Sequence, residues 1–240
     1  MQSLTNITLK TIVQKQVKWK AKLYLSALST LVILQIIFCL LLFDSGSGSS
    51  GHGRGNLDVQ FSIYSLDIFL MVSAFWAFIS ATLFTTKAFR TDDLSVISSR
   101  TSSAIANMIV IILYSLIAVA IMVASLYLQL IVVLSWKESP FILDDLIVSP
   151  TMLMVCFSII CLFGALGLLL GNCYKGTATI KVFTTIFLIL SLFLLSSKSV
   201  DLSWLLMLPN LLISLVVLVV AALCFTLAIW IASKSEVSRS

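Results

Sequence analysis

Six blocks of 16 to 33 mostly apolar residues, set apart by short polar breaks, constrain this chain more than any other feature. A bilayer core about 30 Å thick needs roughly 20 such residues per helical crossing. The blocks run Leu23–Phe43, Val59–Thr85, Ala104–Trp136, Thr151–Leu170, Ile180–Leu195 and Asn210–Ala232. Composition agrees: 60% of residues are hydrophobic and 10% charged, against roughly 45–50% and about 25% in soluble domains. A segment crossing lipid must satisfy its own backbone hydrogen bonds, so long apolar runs predict helices. A barrel would show segments of about ten residues with alternating polarity, and the six blocks do not have that pattern. The expected fold is therefore an all-α integral membrane domain of six transmembrane helices over residues 23–232, with a basic segment 1–22 before it and a tail 233–240 after it. Little polar mass remains for a soluble catalytic domain, so soluble chemistry is expected from a partner.

Charge sets the expected orientation. Lys10, Lys15, Lys18, Lys20 and Lys22 precede the first block; Lys87, Arg90 and Arg100 join the second to the third; Lys175 and Lys181 lie between the fourth and fifth; Lys234 and Arg239 follow the last. Twelve of the fifteen basic residues thus fall on one side, and only Arg54, Lys137 and Lys198 on the other. The positive-inside rule then places both termini in the cytoplasm. The net charge of +5 reads as a topology signal beside anionic lipid, with no nucleic acid needed to explain it. The first block is too long, and its flank too basic, for a secretory leader, so it is expected to stay.

Cysteine use fits a membrane interior. Cys39, Cys156, Cys161 and Cys224 lie in or at the ends of apolar blocks, and Cys173 lies just beyond one. No pair is placed for an external disulfide. The single histidine, His52, sits in a loop away from any cysteine pair, so no metal site is expected.

The connections carry more information than the blocks. Ser45 to Asn56 reads SGSGSSGHGRGN and has the composition of a flexible linker or of an inserted spacer. In Ile7 to Trp19, Leu9, Ile12, Val13 and Val17 recur at helical spacing, which predicts an amphipathic interfacial helix on the inner membrane surface or, failing that, an irregular basic anchor. Between the second and third blocks, Thr91 followed by Asp92 and Asp93 is a good helix start, since a hydroxyl caps free backbone donors and acids complement the dipole. Leu94, Ser95, Val96 and Ile97 follow, with Leu94 and Ile97 three apart. A short helix with an apolar tip ringed by charge suits a shallow groove on a soluble protein; an ordinary solvated loop is the alternative.

In the fourth block Gly167 and Gly171 are spaced as GxxxG, which lets helix backbones approach closely. The run Gly171 to Thr177 imitates a phosphate-binding loop but has Thr177 where the lysine should follow the second glycine. It reads as a turn. Between the fifth and sixth blocks, Leu202, Trp204, Leu205, Leu206 and Leu208 precede Pro209; the run is too short to cross and fits a helix dipping into the outer leaflet or lying on it. Asp67 is the one acid within a block, about eight residues in. An intramembrane carboxylate is a functional candidate by default, although water or a serine partner would satisfy it equally. A carrier driven by an ion gradient would need more coupling polarity than this, and serine or metal protease chemistry lacks a base or clustered ligands.

Taken together, the basic lead-in, the six blocks and Phe89 to Asn107 running into the third resemble the permease subunit of a small ABC-2 type exporter (type V transmembrane domain) from Gram-positive bacteria, similar to those that export, or confer immunity to, amphipathic peptides. The resemblance implies a chain that is not itself an enzyme. It implies a pathway for a hydrophobic or amphipathic substrate, built with a second permease subunit, identical or homologous, in the bacterial cell membrane. Separate ATPase subunits would hold ATP and Mg. By position, Thr91 to Ile97 with Arg100 would be the ATPase-coupling helix, while Asn172, Tyr174, Lys175 and Thr177 would make a second cytoplasmic contact. Leu202 to Pro209 would gate the outer exit. Two other classes compete: a six-helix membrane scaffold or sensor without transport, and a gradient-driven carrier working through Asp67.

Overall fold

The computed structural model describes residues 9–41, 48–54, 57–63, 66–86, 100–136, 148–174 and 209–237. Helix α1 spans Leu9–Leu23 and α2 spans Leu25–Leu41; strands β1 (Gly48–Arg54) and β2 (Leu57–Ile63) follow; then come α3 (Asp67–Phe84), α4 (Arg100–Trp136), α5 (Pro150–Cys173) and α6 (Asn210–Val237).

Four helices, α3 to α6, are long and apolar enough to cross a membrane. Helix α2, at 17 residues, reaches span length only together with α1, which meets it at 42°, making up to five crossings. This is a helical, multi-pass membrane protein. The expected fifth block, Ile180–Leu195, lies outside the described residues, as do Thr91 to Ile97, Lys175, Thr177 and Leu202 to Leu208.

Helix α4 is the mast of the bundle. It runs 37 residues with neither glycine nor proline to interrupt it, and it touches every other described helix. Helices α1, α2, α3, α5 and α6 all pack against it, α2 and α3 also meet each other, and α5 and α6 share the largest interface among the described helices. The main core joins Tyr24, Leu31, Trp76, Val110, Ile160 and Phe225 across five helices. A second, smaller cluster gathers Cys39, Leu66, Phe69, Met122 and Cys156 toward the hairpin end.

Local sequence explains the best-formed helix boundary. Ser149 has extended backbone and its side chain accepts from the Met152 amide, with Pro150 in the first turn. A hydroxyl N-cap followed by proline satisfies one free donor and removes another. The glycines of α5 set its approach to its neighbours. A Cβ on Gly167 would strike the Phe78 carbonyl oxygen and the Ala81 methyl, and one on Gly171 would strike the Thr85 side chain. The GxxxG pair therefore seats α3, and Gly164 faces the Ile111 side chain of α4.

Two expectations need correction at the hairpin end. Gly48–Arg54, within the expected linker, is a strand paired antiparallel with Leu57–Ile63, from Gly48 opposite Ile63 to Arg54 opposite Leu57. The second block accordingly begins its helix at Asp67 rather than Val59. The reason is the alternation Leu57-Asp-Val-Gln-Phe-Ser-Ile63, whose period of two suits a strand. Its apolar members had merged with the following helix into one apparent span.

Candidate functional site

The helical segments on either side of residues 87–99 are locked to the rest of the bundle. On the side leading in, Phe84 stacks on Tyr24 with ring centroids 4.1 Å apart and planes 15° from parallel. Offset aromatic pairs of this kind add roughly 0.5–1.5 kcal/mol beyond the area they bury. On the side leading out, the buried Lys20 ammonium donates to Ser103 Oγ at 2.8 Å and to Asn107 Oδ1 at 2.6 Å. A longer contact, 3.4 Å, reaches the Ser103 carbonyl. An ammonium has three N–H donors, and three acceptors face it.

The side chains that do this come from helix periodicity. Ser103 and Asn107 stand four apart on α4, hence on one face one turn apart. Val13, Gln16, Lys20 and Tyr24 form the buried stripe at the α1 end. The face of α1 turned to the bundle thus carries a glutamine and a lysine, whereas Ile12 and Val17, part of the expected apolar stripe, are only half-buried. The expected amphipathic helix is present from Leu9, but it docks along α4. Two further bonds fix the bend between α1 and α2. Tyr114 Oη donates to the Ala21 carbonyl at 2.8 Å, and Trp76 Nε1 donates to the Ala27 carbonyl at 2.8 Å.

Near mid-bundle a polar triad crosses three helices. Gln35 Nε2 donates to Ser73 Oγ at 2.8 Å, and Ser125 Oγ donates to Gln35 Oε1 at 2.6 Å. All three residues are buried. Interhelical bonds like these act as glue within lipid, worth on average about 0.6 and at most about 1.7 kcal/mol each.

The other residues singled out by sequence fall as follows. Arg100 is the first residue of α4. Asn172 and Tyr174 sit at the end of α5: Asn172 Nδ2 donates to the Ala228 carbonyl of α6 at 3.1 Å, while Tyr174 is exposed. Gly171 to Cys173 form the last turn of α5, where the sequence reads as a turn. Pro209 immediately precedes α6, its carbonyl accepting from the Leu212 amide at 2.8 Å. Asp67, about eight residues into the expected second block, is the first residue of α3; there a carboxylate complements the helix dipole. Sequence reading missed Lys20 as a buried residue and the Gln35 triad altogether. The i, i+3, i+7, i+11 spacing of Val13, Gln16, Lys20 and Tyr24 was the available signal for the first.

The arrangement defines a multi-pass helical membrane protein with a braced end around one connection between spans. No family model, curated protein or solved structure matches the chain.

Proposed function

We propose that the chain is the membrane-spanning permease subunit of an ATP-driven ABC-2 type exporter. It pairs with a second permease subunit, identical or homologous, and rests on separate ATPase subunits that bind ATP and Mg. Its termini lie in the cytoplasm of a bacterial cell, and its passenger is hydrophobic or amphipathic, most simply a peptide.

The observation that supports this reading is the bracing around residues 87–99. A chain with no nucleotide-binding loop of its own must receive energy mechanically. Phe84 on Tyr24 and Lys20 on Ser103 and Asn107 make the two helices that flank that connection stiff near its ends. A push delivered there moves α3, α4 and α1 together, because packed interiors transmit displacement rather than absorbing it.

The test replaces Leu94 and Ile97 together with aspartate in the purified complex. Loss of export and of substrate-stimulated ATP hydrolysis, with the subunits still assembled, is the expected outcome. Normal export by that variant, or failure of any ATPase to co-purify with the wild-type chain from mild detergent, sinks the proposal.

A further inference from the structure

An open apolar cleft of about 670 Å³ lies between α2 and α3, away from the Lys20 contact. One wall is the four-residue row Ser26, Thr30, Leu34 and Phe38 of α2; the other includes Met71, Phe75 and Ile79 of α3, with Trp76 beside them. The same four-residue spacing in the sequence, carried back past Ser26, falls on Lys22 and then Lys18, both exposed. Between these lysines and Ser26 the chain bends: α1 meets α2 at 42°, and the Ala27 amide bonds the Tyr24 carbonyl only three residues back, at 2.9 Å, so the lysines precede the cleft wall rather than line it. The α1 end of the cleft is thus preceded by two exposed lysines, and its wall on α2 runs from two hydroxyls to hydrocarbon.

The geometry points to a bound phospholipid with an anionic headgroup: phosphate at Lys18 and Lys22, ester region at Ser26 and Thr30, acyl chains along Leu34, Phe38, Met71 and Phe75. Charge and length suit a lipid. The twelve steps from Ser26 to Phe38 rise about 18 Å at about 1.5 Å each, close to the roughly 15 Å of half a bilayer core. Lysine stems also lie along apolar surface while their charged ends reach the interface, which is the posture Lys22 would need. This assignment does not rest on the transport reading; it needs only that the helices cross a bilayer.

Tryptophan fluorescence in proteoliposomes tests it, with Trp76 kept and Trp19, Trp136, Trp204 and Trp230 replaced by phenylalanine. The probes are mid-chain brominated phosphatidylglycerol and mid-chain brominated phosphatidylcholine at equal mole fraction. Quenching of Trp76 should be at least about two-fold stronger with the anionic lipid. A reporter made by Leu223→Trp with Trp76→Phe, on the open face of α6, should be quenched alike by both. Lys18→Gln with Lys22→Gln should abolish the preference at Trp76 while leaving helicity by circular dichroism unchanged. Equal quenching of Trp76 by the two lipids overturns the assignment, as does a preference that survives in the double lysine variant. Absence of quenching by either lipid, with disulfide cross-linking of Met71→Cys between copies, also overturns it, because a second chain then fills the cleft.

Discussion

Lys20 and Asn107, 87 residues apart in sequence, meet at 2.6 Å between the ammonium and the amide oxygen. The contact fastens the lead-in helix to the start of the longest helix. A buried ammonium is tolerable only where oxygens replace the water it has lost. Ser103 and Asn107 provide them from successive turns.

That pairing predicts non-additivity. Asn107→Leu should destabilise the detergent-solubilised protein more than Lys20→Met, because it strips an acceptor from a charge that stays buried, whereas Lys20→Met removes the charge itself. The double variant should recover about 1–3 kcal/mol relative to the sum of the singles. Thermal unfolding of all four proteins measures this; strict additivity would show that the contact does not hold the two helices.

The glycines of α5 predict a graded series. Gly167→Ala meets the Phe78 carbonyl, which is backbone and cannot swing away, and should cost about 1–3 kcal/mol as α3 is forced off α5. Gly164→Ala meets the Ile111 Cγ2 methyl, 2.6 Å from the added carbon; that β-branched side chain is stiff in a helix, yet a side chain yields more readily than the backbone carbonyl that Gly167→Ala meets. Melting temperatures of the two variants should therefore differ, with Gly167→Ala the lower.

The mid-bundle triad predicts a loss within the range known for hydrogen bonds in lipid. Gln35→Leu breaks two bonds and leaves Ser73 and Ser125 bonded to the Phe69 and Ile121 carbonyls of their own helices. The cost should be about 1–2 kcal/mol. Ser73→Ala removes one bond but leaves the buried Gln35 amide without that acceptor, and should therefore cost at least as much in the same unfolding assay.

Asp67 separates two mechanisms. Placed in the first turn of α3, it should contribute about 0.3–1 kcal/mol through the helix dipole. Asp67→Asn is therefore expected to leave transport intact in reconstituted vesicles. If that substitution stopped transport while an imposed ion gradient was held, a gradient-driven carrier would replace the ATP-driven reading.

The long apolar blocks were legible because lipid demands a continuous run and little else matches it. Asn210 and Trp136 mark helix ends in both sequence and structure for that reason. The hairpin was hidden by the same logic, since Val59, Phe61 and Ile63 prolong the apolar character of the block behind them although their spacing is that of a strand. Lys20 was read as one of five inner-side charges because sign alone was counted. Its burial depends on Ser103 and Asn107, and a local pattern cannot announce partners more than 80 residues away. Gln35, Ser73 and Ser125 share that property: each is unremarkable in its own helix, and they gain a role only when three helices cross.

The 37 residues of α4 extend about 55 Å at about 1.5 Å per residue, whereas a bilayer with its headgroups measures about 40–45 Å. This helix must lean or protrude, and the choice depends on membrane thickness. Every other described helix leans on α4, so a thicker or thinner bilayer would retune the tilt of the whole bundle through this one rod. Acyl-chain length thereby becomes a control variable for the protein, acting through mechanical fit and without any binding event.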